Sequence, residues 1–376
     1  MIKRLFLLLR LFLLLMVSAL LAACEQAPEP SQLDLRAALG GEAGAGFERA
    51  IEPANFHFPQ DHAAHPGFRN EWWYVTGNLK DRDGHRYGYQ VTLFRIALSP
   101  QRPDSKSQWA SNQVWMAHVA LTDVHLQQHW HAQRLSRGAL ELAGQSTQPF
   151  RVWLEDWQIT GDEDGRFPWA IDVKTEHFNL QLQLHNTKPI VLQGDNGLSQ
   201  KSSEPGNASY YYSMTRLQTN GSLEREGKQL SVSGWSWLDR EWSTSALGEN
   251  QVGWDWFSLQ LDDQQELMFY QLRQQDGSPD PHSSGKWIKP DGDSLALTHK
   301  DVELTPLRYW KAESGRKYPV LWSLKLPSKN KSWRIEAMLD DQEMATGIHY
   351  WEGSVKVVDA TTDKIIGYGY LEMTGY

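Results

Sequence analysis

Cysteine is nearly missing from this chain: among 376 residues there is one, Cys24. Disulfide staples within the chain are therefore excluded, as is a zinc site built from several thiolates. Basic charge is also short. The 37 Lys and Arg face 46 Asp and Glu, a formal net charge of -9, which excludes nucleic-acid binding through a phosphate-neutralising basic surface. No Gly-x-Ser-x-Gly elbow, phosphate loop or dinucleotide fingerprint occurs. Beyond Pro53 no segment carries a sustained helical stripe of apolar residues.

The one cysteine ends a short apolar run. Lys3, Arg4 and Arg10 supply a positive flank, Leu11 to Leu21 a hydrophobic stretch too short for an ordinary membrane span, and Leu21-Ala22-Ala23-Cys24 closes it. Small residues before a cysteine are what a lipoprotein signal peptidase requires, because the thiol is lipidated and becomes the new amino terminus. Residues 1–23 are read as the signal peptide and Cys24 as the lipid anchor. The competing readings are a plain secretory signal with an incidental cysteine and an uncleaved anchor. Cleavage removes Lys3, Arg4 and Arg10 but no acid, so the formal charge moves from -9 to -12. Glu25 stands where an inner-membrane lipoprotein would carry aspartate. The expected location is the cell envelope, anchored facing the periplasm, at the outer rather than the inner membrane. Residues 24–54 are rich in Ala, Gly, Pro and Glu and read as a tether. Extended, it would reach on the order of 100 Å.

From there on the pattern is β. Phe178, Leu180, Leu182 and Leu184 alternate with Asn179, Gln181, Gln183 and His185, and Tyr87, Tyr89, Val91 and Leu93 repeat the period of two. Turn sequences such as Asp83-Gly84 and Asp276-Gly277 separate the runs. An internal echo links two hairpins: Trp72-Trp73-Tyr74 leads through a turn to Leu93-Phe94-Arg95, and Trp254-Asp255-Trp256 leads to Gln271-Leu272-Arg273. The fold class expected is all-β, with two related antiparallel domains over residues 55–205 and 206–376.

Four clusters could carry chemistry. His62 and His65 sit near Asp61, Glu71 and Trp72, but Pro59 and Pro66 argue against a helical metal-binding face. A hydrogen-bonded cap at one end of a barrel, tied to Glu71, is the expected role. His125, His129 and His131 read as an exposed hairpin end. In Gly234-Trp235-Ser236-Trp237-Leu238-Asp239-Arg240-Glu241-Trp242, strand alternation puts Trp235, Trp237, Asp239 and Glu241 on one face. Carboxyls two residues apart, roughly 6.5–7 Å along a strand, cannot both ionise freely among indole rings, and one kept protonated can serve as a general acid. A structural ion pair with an arginine is the competing reading. Tyr210 and Tyr212 share a face and would line a pocket or pack in a β core. The 18 tryptophans suit an aromatic-lined cavity as well as they suit broad β cores.

Together these segments resemble the AttH-like, "predicted secreted hydrolase" family, related to the bacterial carotenoid hydratases. The likeness is carried by Phe58-Pro59, Asp61-His62 and His65-Pro66, the run Glu71-Trp72-Trp73-Tyr74-Val75-Thr76-Gly77-Asn78-Leu79 and the tyrosines through Thr215-Arg216-Leu217. Trp237 to Trp242, Tyr350-Trp351-Glu352-Gly353 and the ending Gly369-Tyr370-Leu371-Glu372-Met373-Thr374-Gly375-Tyr376 complete it. The resemblance implies two consecutive lipocalin-like antiparallel β-barrels. In the hydratase branch water adds across a terminal isoprenoid double bond, and Asp239 best matches the proposed proton donor, with Trp237 in place of the aromatic two before it. Tyr210 and Tyr212 depart from that branch, which carries a histidine and an aromatic there, and Arg240-Glu241-Trp242 is the AttH-like rather than the hydratase version. An association with ABC permeases is also implied.

Two functions follow. As a binding protein, the chain would hold or carry a hydrophobic ligand, a lipid or isoprenoid-like small molecule, with an ABC permease as partner. As an enzyme, a hydratase or hydrolase, it would use Asp239 as general acid and Glu241 or a tyrosine to position water. A glycosidase is a third reading, from paired carboxylates with aromatic platforms. The candidate ligand-lining residues are Tyr210, Tyr212, Trp235, Trp237, Trp254, Trp256, His62, His65, Glu71 and Trp72. No metal or cofactor is called for. Cys24→Ser is expected to abolish lipid labelling and leave a soluble or uncleaved form; unchanged processing and membrane fractionation would contradict the lipoprotein reading.

Overall fold

The alternating runs form strands whose register follows their apolar face. The structure is a computed structural model and describes residues 44–245 and 247–376. The signal, Cys24 and residues 24–43 of the tether lie outside the described residues. The first sheet has 13 strands: β1 (Asn70–Asp81), β2 (Arg86–Ala97), β3 (Gln113–Asp123), β4 (Gln128–Arg137), β5 (Ala143–Thr147), β6 (Phe150–Leu154), β7 (Trp157–Thr160), β8 (Trp169–Lys174), β9 (Phe178–Asn186), β10 (Val191–Leu192), β11 (Leu198–Gln200), β12 (Ala208–Arg225) and β13 (Lys228–Ser243). The second has 10: β14 (Gln251–Leu261), β15 (Glu266–Gln274), β16 (Ser284–Ile288), β17 (Ser294–Thr298), β18 (Glu303–Lys311), β19 (Lys317–Leu326), β20 (Lys331–Ala337), β21 (Glu343–Ala345), β22 (His349–Asp359) and β23 (Ile365–Thr374). All pairings are antiparallel. In each sheet the first strand pairs with the last, β1 with β13 and β14 with β23. This curls one sheet into a barrel and the other into a half-barrel, as expected for a lipocalin-like architecture.

Along β9, Phe178, Leu180, Leu182 and Leu184 point into the first barrel, where they meet Trp73, Val75, Tyr89 and Val91. Phe257 and Leu259 do the same in the second sheet, against Val320, Trp322 and Val355. The change of sheet falls between Ser243 and Gln251, not near residue 205 as the sequence suggested. Strands β12 and β13 belong to the first sheet because they supply the pairing that closes it, β13 against β1 and β12 against β9. The end of the expected tether is also part of the globule: Ala50 is fully buried, the Glu48 amide donates to the Gly67 carbonyl, and Tyr210 donates to that of Glu52. Of the three histidines expected at an exposed hairpin end, His125 is exposed, but His129 and His131 lie half-buried on β4, and the His129 ring bonds Thr122 across the hairpin at 2.9 Å.

From Ser236 onwards every residue of β13 is buried, so both of its faces are covered. Leu238 and Trp242 enter the first barrel, and Arg240 goes with them. Arg240 lies 3.7 Å from the Trp73 ring centre and donates to Glu71 Oε2 at 2.5 Å, while Arg95 donates to Glu71 Oε1. The His65 amide caps both Glu71 oxygens, at 3.1 and 3.0 Å, and the His65 ring stacks on Trp242 at 3.7 Å. Burial alone would raise the Glu71 carboxyl, but Arg240 and Arg95 outweigh it and hold it well below the carboxylate range. The second hairpin of the sequence echo also binds its acid with an arginine, Asp255 with Arg273, but there burial outweighs the pairing and lifts the carboxyl to about 6. In both hairpins the acid faces its own barrel, and the aromatic residues beside it, Trp72 and Tyr74 in one and Trp254 and Trp256 in the other, face the space between the sheets.

Glu71→Gln would leave two buried guanidinium groups short of charge, a loss on the order of 3–5 kcal/mol, read as a fall in the denaturant midpoint. The sign with pH follows from the depressed carboxyl. Its contribution is complete above the unfolded value of about 4 and is lost as pH falls through the lower folded value. A midpoint unchanged by Glu71→Gln at pH 7 would contradict this account.

Candidate active site

The two sheets meet through polar contacts, and the meeting leaves a cavity of about 120 Å³. Tyr74 donates to Glu352 Oε1 at 2.6 Å, the His118 ring bonds the Tyr350 hydroxyl at 2.7 Å, and Asn78 donates to the Gly369 carbonyl at 3.0 Å. The first sheet contributes Trp72, Tyr74, Phe94, Met116, His118, Tyr211, Asp239 and Glu241 to the walls. The second contributes Trp254, Trp256, Tyr270, Leu272, Tyr350, Glu352 and Glu372. Half-buried Trp72, Phe94 and Trp254 mark its more accessible side.

Asp239 sits in this wall, 3% exposed. It accepts from Tyr211 at 2.6 Å, Ser213 at 2.5 Å and the Trp237 indole at 2.7 Å. No arginine reaches it among the described residues: Arg240 is bound to Glu71, Arg216 to Glu266 and Arg273 to Asp255. Burial pushes its carboxyl up to about 7 against the pull of those three donors. Glu241, two residues on, is treated oppositely. It accepts from Ser209 and forms a salt bridge with Lys201 at 3.1 Å. Burial would lower the Lys201 ammonium, but Glu241 and Tyr270 hold it above its ordinary value. One face of one strand thus carries a carboxyl that favours its proton and a carboxylate tied to a cation.

Two further carboxyls face the same space. Burial pushes Glu372 up to about 8, and Glu241 and Asp239 add to the rise. Glu352 lies well above the carboxylate range, through burial first and the nearby Glu372 second. His118 is driven down to about 3 by burial and is neutral. Asp81, Asp83 and His85 bring three ligand-type atoms within 4.8 Å of one another, but at the β1–β2 turn, where Asp81 already accepts from the Asp83 and His85 amides.

Of the residues singled out from sequence, Asp239, Glu241, Trp72, Trp254 and Trp256 line the cavity, and Trp237 backs it through its bond to Asp239. Tyr210 and Tyr212 do not. Their neighbour Tyr211 does, because β12 pairs with β13 in a register that sets Tyr211 opposite Glu241 and Ser213 opposite Asp239. Tyr212 turns into the first barrel, where it bonds His62 at 2.6 Å, and His62, His65 and Glu71 lie on that side too. Trp235 is 39% exposed and borders a separate cleft, with the Arg216 guanidinium 5.3 Å from its ring. Lys201, Glu352 and Glu372 were missed. The two glutamates lie inside segments that carry the family likeness, so their signal was present; Lys201 lies in a polar stretch that offered none.

The comparisons agree with this architecture. The AttH-like family model matches residues 49–376. The crystal structure of an AttH-type protein from Nitrosomonas europaea is similar at 35% identity and a TM-score of 0.78, covering 88% of this chain and all of that one. Kievitone hydratase from Nectria haematococca shares the fold at 15% identity and a TM-score of 0.65, covering 88% of this chain and 98% of its own. CghA with Sch210972 shares it at 12% identity and a TM-score of 0.54, covering 90% and 97%. No curated protein sequence matches. The extent of the family match and the identity to the Nitrosomonas structure establish that this chain belongs to the AttH-like family.

Proposed function

We propose that this protein is a hydratase acting on an alkene of a hydrophobic, isoprenoid-like substrate. The observation that carries the reading is Asp239: buried, unpaired with any arginine, inclined to hold its proton near neutrality and facing an aromatic cavity. In the proposed step the Asp239 O–H bond breaks and a C–H bond forms on the alkene, leaving a carbocation on the neighbouring carbon. The faces of Trp254, Trp256 and Tyr74 stabilise that cation, as ring quadrupoles do. A water oxygen then bonds to it, and the water's surplus proton passes to the Glu241 carboxylate. Proton return to Asp239 through solvent resets the site, so alkene and water give alcohol with nothing else consumed.

A carboxyl that favours its proton, two residues from one bound to a lysine, is the arrangement such chemistry needs, because environment alone separates their roles. The fold shared with kievitone hydratase is a second, weaker support. Of the departures from the hydratase branch, Tyr210 and Tyr212 lie on the barrel side of β12, whereas Glu241 stands in the cavity wall beside Asp239. The proposed setting is the cell envelope, at the end of the anchor read at Leu21-Ala22-Ala23-Cys24.

Asp239→Asn keeps the shape and removes the titratable proton. With terminal isoprenoid alkenes of graded length as probes, the variant is expected to bind them while losing hydration by at least about 100-fold, the scale of general-acid catalysis. Undiminished hydration in Asp239→Asn would overturn the assignment. Binding without conversion in both forms would favour carriage of an apolar ligand.

A further inference from the structure

The second sheet brings two glutamates to the cavity that the hydration step does not use. Glu352 on β22 and Glu372 on β23 are direct cross-strand partners, an arrangement that sets Cβ atoms about 4.5–5.5 Å apart. Each is fixed through one oxygen: Tyr74 donates to Glu352 Oε1 at 2.6 Å, and the Trp254 indole donates to Glu372 Oε1 at 2.9 Å. Glu352 is fully buried, lines the cavity, and its Oε2 has no hydrogen-bond partner.

Two carboxylates held this close in an apolar wall cannot both be charged, so the pair keeps at least one proton. A carboxyl pair that keeps a proton offers both an acceptor and a donor. An apolar group placed against it leaves Glu352 Oε2 unsatisfied, which is costly in a buried site. An anionic group gives up its hydration beside a pair that can only add negative charge, and Lys201, the cation in the described lining, is already engaged by Glu241. An ammonium gives up its hydration without a full countercharge, since burial favours the protonated form of both glutamates. A hydroxyl group meets the requirement, because it can both donate to a carboxyl oxygen of the pair and accept the proton that the pair keeps, and so give Glu352 Oε2 a partner in either role.

We propose that the Glu352–Glu372 pair is a subsite for an uncharged hydroxyl group of the substrate, an alcohol or phenol, and that it excludes carboxylate and phosphate ligands. The inference rests on the hydratase reading only for what occupies the Asp239 side; the subsite itself is a statement about binding.

Equilibrium binding to the full protein at pH 7 tests it, with geraniol, myrcene, geranic acid and geranylamine as matched probes. Geraniol is expected to bind about 10-fold more tightly than each of the other three, the effect of one satisfied buried hydrogen bond. Glu352→Leu should bring geraniol and myrcene to within about 2-fold of each other. Glu352→Gln should keep the alcohol preference through its amide but relax the exclusion of geranic acid. If the leucine variant does not fold, the glutamine variant still decides, since unrelaxed exclusion contradicts the proposal. Myrcene, geranic acid or geranylamine binding as tightly as geraniol in the unaltered protein would overturn it, as would an alcohol preference that survives Glu352→Leu. Asp239→Asn should show the same preference as the unaltered protein, so a failed hydratase assignment and a failed subsite give different results.

Discussion

Strand β13 is covered on both faces, and the two-residue alternation of its side chains is the constraint on which the site depends. Leu238, Arg240 and Trp242 must enter the first barrel if Trp237, Asp239 and Glu241 are to face the second sheet. Charge is therefore buried on both sides of one strand. On the barrel side Arg240 is neutralised by Glu71, helped by the Trp73 ring and the His65 amide. That settlement leaves Asp239 without a cation, and its carboxyl rises for the same reason that Glu71 falls: each answers to the partners its face provides. Replacing the Arg240–Glu71 pair would thus disturb the cavity without touching it.

The cavity is built by two sheets using one device. Each opens on a hairpin whose acid is bound by an arginine inside its own sheet, Glu71 by Arg95 and Asp255 by Arg273, and whose flanking aromatics point outward. Facing each other, these outward aromatics make an apolar chamber that neither sheet could make alone. Into it project carboxyls from both sheets, with Lys201 as the one cation among the described lining residues. Water exclusion and mutual repulsion together hold the cluster short of full ionisation. A chamber of this kind favours proton donation to an uncharged guest, which is the chemistry proposed for it.

Much of the fold was legible because a period of two in the sequence is a direct image of a half-buried strand, as along β9 from Phe178 to Leu184. The hairpin echo was legible for the same reason, and the structure gives it meaning through the paired acid and arginine of each copy. The boundary between sheets was not. Alternation identifies strands but not their partners, and β12 and β13 join the first sheet through pairings far apart in sequence. Asp239 and Glu241 could be placed on one face from their spacing alone. Tyr210 and Tyr212 were taken for Tyr211 because the relative register of β12 and β13 decides which tyrosine shares that face, and register is written in pairing rather than in either strand. Glu352 and Glu372 lie in family-like segments that do not say which cavity they face, and Lys201 reaches it from a polar stretch without local pattern. Only the folded chain unites them.

The central claim is that Asp239 carries a proton in the resting protein near neutral pH. Infrared difference spectra between the unaltered protein and Asp239→Asn, taken across a pH titration, measure it directly. The account predicts a protonated carboxyl band assignable to Asp239 that persists at mildly acid pH and gives way to carboxylate with a midpoint near 7. A carboxylate band for Asp239 throughout, with no protonated band above about pH 4, the ordinary carboxyl range, would contradict it.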